Sequence, residues 1–396
     1  MIEPQATRRA AMRGMVFAAS ALLLAGCQTI VPRGPTPAPD ERPPVTTPAP
    51  RPTTPTPGLP QDQDRHRIAL LVPLSGSNAG VGQSLANAAN LALLDANSTR
   101  VRITTYDTAP GAAGAAQRAI AEGARLILGP LLSTDVRAAA PIAARAGVPI
   151  VSFSNDVSVA GDGTFVMGYS PSQSIDRVVR HARSRGITRF AALVPSGTYG
   201  QRASAAMIRS VEAAGGSVVS MENFDRSPAS LRTAVGRLSP GYEALLIADG
   251  GRIAVQAVPL VRRGNGAEAR ILGTELWAAE ADIGTNAALN GAWFAGVGNE
   301  LYDQFARRYR ARYSTAPYRI ASLGYDATLL VERIARDWRV GTPFPVRELT
   351  DEGGFGGIDG AFRFGRDGTA ERALVVYQVG QGTTQVISPA PARFDD

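Results

Sequence analysis

From residue 66 onward, short apolar runs alternate with longer amphipathic, alanine-rich segments. Ile68–Val72, Val101–Tyr106, Leu126–Leu128 and Val148–Val151 have the length and the apolar or β-branched content of buried strands. Helix-length segments separate them at 83–95, at Ala112–Ala121 and between Leu128 and Val148. After a break at Gly168-Tyr169-Ser170-Pro171 the pattern resumes. It predicts strands at Phe190–Val194, Ser217–Met221, Ala244–Ala248 and Ile271–Leu272, with helices over 172–185, 201–214, 228–238 and 252–262. Strands that alternate with helices of this length predict βαβ units and parallel sheets, hence an α/β fold. Two longer amphipathic helices are expected at Glu300–Tyr313 and 320–339. The tail then changes character. Gly360–Phe364 and Leu374–Val379 flank Gly365-Arg366-Asp367-Gly368 and predict a β-hairpin, and a loose end is expected from Pro389. The two series share a grammar of elements without a residue-level repeat.

In parallel sheets of this kind ligands bind outside the carboxyl ends of the strands. The polar residues that follow each predicted strand are therefore the candidate site. Ser75 lies in the loop after the first strand, Ser133 and Thr134 open a helix, and Ser154 and Asn155 follow the next strand. In the second series Tyr199, Asp249 and Glu275 hold the corresponding positions. Ser133 and Thr134 offer a cap and free backbone N–H groups suited to a carboxylate. Glu275 suits an ammonium group, and Tyr199 could close over a ligand. Each also has a structural reading: helix capping for the serine and threonine, a solvated loop for Glu275, packing for Tyr199, a tight turn for Asp249-Gly250-Gly251.

Composition narrows the chemistry. All 41 basic residues are arginine, so lysine-dependent catalysis is excluded. The net charge of +7 comes without a basic run interleaved with aromatics, which argues against nucleic-acid binding. One cysteine and two histidines allow no disulfide within the chain and no Cys/His metal cluster. His66 and His181 read as solvated surface residues. Gly80-Val81-Gly82-Gln83-Ser84-Leu85 begins like a dinucleotide-binding loop but has leucine in place of the third glycine, and no G-x-S-x-G elbow occurs. The expectation is a non-enzymatic protein with no cofactor and no metal.

The amino terminus carries arginines at 8, 9 and 13, then an apolar stretch, Met15–Ala25, of signal-peptide length. Leu24-Ala25-Gly26-Cys27 resembles a bacterial lipobox. The resemblance implies cleavage of a 1–26 signal peptide, lipidation of Cys27 and, with Gln28 rather than aspartate following, anchoring to the outer membrane. Residues 27–65 are expected to form a tether. Twelve of the 28 prolines fall between 31 and 60, and thirty such residues would span on the order of 90 Å if extended.

Taken together, Ile68–Gly76, Gly129-Pro130-Leu131-Leu132-Ser133, Ala146–Ser152, Tyr199-Gly200 and Gly324-Tyr325-Asp326-Ala327 resemble the type I periplasmic binding proteins of the leucine-binding kind. That resemblance implies two Rossmann-like lobes with parallel sheets joined by a multi-strand hinge. One lobe would comprise 66–168 plus 297–340, the other 169–296 plus 341–390, with a ligand in the cleft. It implies that Ser133 binds a ligand carboxylate, that Glu275 binds its amine and that Tyr199 contributes from the second lobe. The lipobox, the tether, Ser152-Phe153-Ser154-Asn155 and the tail over 354–372 further resemble the short form of the penicillin-binding protein activator lipoproteins. Two functions follow as expectations. One is an activator of peptidoglycan synthesis that contacts a penicillin-binding protein. The other is a solute receptor of an amino-acid ABC transporter, its ligand an amino acid or muropeptide fragment.

Overall fold

A computed structural model describes residues 64–280, 282–391 and 394. The expected signal peptide, the lipidated Cys27 and the tether lie outside the described residues.

The first apolar series forms a five-stranded parallel sheet from β1 (His66–Val72), β2 (Val101–Asp107), β3 (Leu126–Leu128), β4 (Ile150–Ser152) and β5 (Thr164–Val166), in the order β2-β1-β3-β4-β5. Its helices are α1 (Ala79–Asp95), α2 (Ala112–Ala121) and α3 (Ser133–Arg145). In β1, Ile68, Leu70 and Val72 enter one core, while Ala69 and Leu71 enter another on the opposite face. Burial on both faces is why the run is continuously apolar instead of alternating.

The second series builds a seven-stranded sheet. Its parallel strands are β6 (Arg189–Pro195), β7 (Ser217–Phe224), β8 (Ala244–Ile247), β9 (Arg270–Gly273) and β10 (Trp293–Gly296). Helices α4 (Pro171–Ser184), α5 (Thr198–Ala213), α6 (Pro228–Arg237) and α7 (Gly251–Arg263) intervene. Ala191 and Leu193 of β6 face one core, and Phe190, Ala192 and Val194 face the other. Local chemistry sets the helix starts: Ser170 and Ser227 cap α4 and α6 through their hydroxyls, each with proline in the next position. Helix α8 (Glu300–Tyr313) carries Glu300 and Asp303 in its first turn and Arg310 and Arg312 in its last, complementing its dipole. With α9 (Ser322–Ile334), it returns to the first half, where Phe305, Tyr309 and Tyr325 pack on Ala88 and Leu91 of α1. No helix among the described residues is long and apolar enough to cross a membrane.

The tail departs from expectation. The Gly365–Gly368 turn does form a hairpin, but β12 (Gly360–Phe364) pairs with β13 (Ala370–Arg372), and β11 (Phe355–Gly357) completes a three-stranded sheet. Residues 375–379, expected as the second arm of the hairpin, form β14 (Val375–Val379), which runs antiparallel to β10; β15 (Thr384–Ser388) adds beyond it. Val376, Tyr377 and Val379 are buried, and a strand covered on both faces is more stable inside a large sheet than in an isolated hairpin. A second correction concerns the first part of 341–390, a range expected as a whole to accompany the second lobe; only β14 and β15 do so. Phe344, Leu349, Phe355, Phe362, Phe364 and Ala370 pack instead into the core of Ile68 and Leu70. The predicted 320–339 helix is also shorter: 319–321 is a separate 3-10 turn. His66 and His181 are buried, not solvated. His66 stacks on Trp338 with centroids 3.7 Å apart and its Nε2 lies 3.1 Å from the Trp338 carbonyl; His181 meets Trp293 edge-on.

Candidate functional site

The carboxyl ends of β3 and β4 meet the start of α5 across a cavity of about 360 Å³. Ser133, Arg137, Asn155 and Asp156 line it from the first half, and Thr198, Tyr199 and Arg202 from the second. Serine hydroxyls set the path of the β4 loop. Ser152 Oγ donates to the Pro130 carbonyl (2.9 Å) and accepts from the Ser154 N–H (3.0 Å), and Ser154 Oγ accepts from the Asp156 N–H (3.0 Å). This relay leaves Asn155 exposed and turns Asp156 inward.

Asp156 is the electrostatic centre of the cavity. Arg137 Nη2 donates to its Oδ2 at 2.8 Å, Arg202 Nη2 pairs with its Oδ1, and the Ser158 N–H donates to Oδ1 at 2.9 Å. Burial by itself would raise this carboxyl, but the hydrogen bonds from Ser158 and Arg202 outweigh it and hold the group well below the usual carboxylate range. Arg137 also donates to Ser133 Oγ (3.3 Å), so that hydroxyl already has a partner.

The candidate residues separate accordingly. Ser133, Asn155 and Tyr199 come together at the cavity. Thr134 is exposed one residue into α3 and is not among the lining residues. Ser154 is buried and engaged with backbone. Ser75 donates to Asp107 Oδ2 at 2.7 Å, closing the loop after β1. Asp249 accepts from Arg226 Nε (2.7 Å) and from the Gly250 N–H, and its carbonyl accepts from Trp277 Nε1. Ser75 thus ties its loop to the end of β2, and Asp249 ties its strand end to Arg226 and Trp277.

Glu275 stands behind Tyr199. Its Oε2 accepts from Ser174 Oγ (2.6 Å) and its Oε1 from the Tyr199 hydroxyl (3.0 Å), which also lies 3.1 Å from Thr274 Oγ1. Burial pushes the Glu275 carboxyl up, and burial together with Glu275 raises the Tyr199 phenol. Glu275 borders a separate pocket of about 50 Å³ with Arg319 and Arg372, away from Ser133.

Of three charged groups at the cavity, reasoning from strand ends reaches only Asp156, in the polar cluster Ser154-Asn155-Asp156, and misses Arg137 and Arg202. The signal for those two was helical spacing. Arg137 follows Ser133 by four residues and Arg202 follows Tyr199 by three, which places each pair on one helix face. A buried polar group at the crossing between the halves was also missed. There Asp359 pairs with Arg319 (2.7 Å) and accepts from Ser322 Oγ (2.6 Å) and from the Tyr169 hydroxyl.

Known proteins share this architecture. The crystal structure of leucine binding protein LivK from Thermotoga maritima aligns over 84% of this chain and 99% of its own, with a TM-score of 0.59 and 22% identity. The C-domain of LpoA from Haemophilus influenzae, described as a regulator of PBP1A, aligns over 81% of this chain and 99% of its own, with a TM-score of 0.65 and 20% identity. At such identities the likeness establishes the fold: a type I periplasmic binding protein with α/β halves. Among curated proteins, RP748, an uncharacterized protein of Rickettsia prowazekii, is 27% identical over 181 residues, 45% of this chain and 48% of that protein. The match thus spans about half the length of that relative. Residues 66–384 match the family described as periplasmic binding protein, and the chain belongs to that family.

Proposed function

We propose that this protein is a non-enzymatic, lipid-anchored regulator in the bacterial envelope that stimulates peptidoglycan synthesis by contact with a penicillin-binding protein. The observation that carries this reading is the state of the cleft. The groups that would receive an amino acid are engaged within the protein: Ser133 with Arg137, Glu275 with Ser174 and Tyr199, Asp156 with both arginines. An α-ammonium would find the Glu275 carboxyl behind Tyr199 and its affinity for protons raised. A cleft satisfied by its own side chains suits a fold that acts through its surface. Likeness to the LpoA C-domain, the lipobox at Cys27 and Gln28, and the proline-rich segment support the same reading. Purified protein is expected to raise the rate of glycan polymerisation or crosslinking by a bifunctional synthase from the same envelope. Unchanged rates across the candidate synthases would overturn it.

The second reading, a solute receptor for a transporter, draws on the 360 Å³ cavity and on likeness to LivK. Calorimetry with the amino acids and with muropeptides tests it: binding that Ser133→Ala weakens would favour it, and silence across the panel would remove it.

A further inference from the structure

We propose that the outer face shared by α1 and α8 docks the folded part of this chain on an anionic lipid surface, with Arg307, Arg308, Arg310 and Arg312 against the phosphate headgroups. The proposal rests on the lipid anchor of the reading above and is independent of the synthase.

Charge is segregated on this face. Between Asp303 and Asp326 the chain has five arginines and no acid, and between Asp64 and Asp95 it has no acid at all. The fold puts these two stretches together. Asn87 Nδ2 donates to the Tyr309 hydroxyl (3.0 Å), and the Tyr313 hydroxyl donates to the Asn87 carbonyl (2.9 Å). The outer stripe of α1, at Gly80, Gln83, Asn90 and Leu94, is exposed and uncharged. Arg308 pairs with Asp95 at 2.9 Å. Arg307, Arg310 and Arg312 are exposed and form no ion pair among the described residues. Glu300 and Asp303 are confined to the first turn of α8. Against the expectation from charge patterning, Arg307–Tyr313 is a basic run interleaved with aromatics. Tyr309 is buried, however, and Tyr313 is turned to α1, so neither ring is presented for stacking on bases. Leu94, Leu301 and Tyr318 are 54%, 51% and 53% exposed, three of the four described large hydrophobic residues that are more than half exposed. Leu301 precedes Arg308 by seven residues and Arg312 by eleven, on one side of α8, and Tyr318 lies over Gly80 of α1. Apolar side chains set among arginines suit the boundary between headgroups and acyl chains, which satisfies both. An acidic protein face would satisfy the arginines alone. The tether expected over 27–65 would keep the folded part near the membrane without choosing the face that meets it; charge makes that choice.

The test uses the full lipidated chain, reconstituted into vesicles of phosphatidylcholine alone or with phosphatidylglycerol and recovered by flotation. Its arginines are modified with phenylglyoxal and mapped by mass spectrometry. With phosphatidylglycerol present, Arg307, Arg308, Arg310 and Arg312 should react several-fold more slowly than on phosphatidylcholine. Arg209 and Arg252, exposed on the second half, should react alike on both. The difference should vanish at molar salt, where charge is screened within about 3 Å. In Arg307→Gln/Arg310→Gln/Arg312→Gln, the remaining Arg308 should lose its protection. Flotation that requires phosphatidylglycerol would show the face binding without the anchor. Equal reactivity of the four arginines on both vesicles, with flotation intact, would overturn the docking and leave the anchor standing; flotation with neither vesicle would overturn both. Protection that appears only when a penicillin-binding protein is added would also overturn the proposal and assign the face to a protein.

Discussion

Asp326 illustrates how a residue's chemistry depends on what surrounds it. In the chain it is one acid of Gly324-Tyr325-Asp326-Ala327; in the fold it is buried on α9, accepting the Ile358 N–H at 2.7 Å. Burial first, and then the charge of Asp359, push its carboxyl up to about 7, against the pull of the Ile358 N–H and of Arg372. The folded state therefore holds a proton that the unfolded chain, with a carboxyl near 3.9, releases earlier. Stability from this group is complete below about pH 4 and is lost as pH rises through about 7, with a slope of at most about 1.4 kcal/mol per pH unit. Asp326→Asn keeps the acceptor and removes the ionisation. The fall of Tm between about pH 4 and 7 should flatten in that variant, and a pH profile parallel to wild type would refute the assignment. Ser133, Asn155 and Tyr199 were legible as cleft residues because strand ends fix their positions. Asp156 was legible only as part of the polar cluster after its strand; its inward turn depends on the Ser152–Ser154 relay.

At the scale of elements, both halves rest on the same close approach. A Cβ at Gly82 in α1 would lie 1.7 Å from the Pro73 carbonyl oxygen, and one at Gly200 in α5 would lie 1.6 Å from that of Pro195. Each helix passes directly over the loop leaving the preceding strand, so only glycine fits. That explains the glycine of Tyr199-Gly200 better than any ligand does. Gly200→Ala must move α5 off the β6 loop, and with it Tyr199 and Arg202. A loss of about 1–3 kcal/mol is expected in urea unfolding. Wild-type stability in that variant would mean that α5 can shift without cost. Helix ends marked by capping serine, proline or glycine were readable from local chemistry. The short strands β5, β10 and β15 were not. Their residues gain strand geometry from neighbours distant in sequence: Thr164–Val166 from β4, Trp293–Gly296 from β9 and β14.

For the whole molecule, chain crossings decide which residues share a core. The chain passes between the halves after β5, after β10 and after β13, so the last stretch completes both. Residues 344–370 fill the first core, and β14 and β15 extend the second sheet past β10. A chain ending at Ala373 would leave β10 as an edge, and Phe294 would lose its stacking partner Tyr377, 5.0 Å away. Such a truncation should bind a hydrophobic dye and unfold without cooperativity in its second half, measured by fluorescence and calorimetry. A single sharp transition at the wild-type Tm would contradict this account.

The sequence by itself determined the α/β class, most of the alternation of strands and helices through residue 263, and the strand ends where a cleft would form. Those features depend on hydrophobic period, capping and turn chemistry, which act over a few residues. Only the tertiary structure decided that residues 375–379 leave their hairpin for the large sheet, that His66 and His181 are interior, and that Asp156 takes both arginines. Each of those outcomes depends on burial and charge contributed by segments far apart in the chain, and no local pattern encodes them.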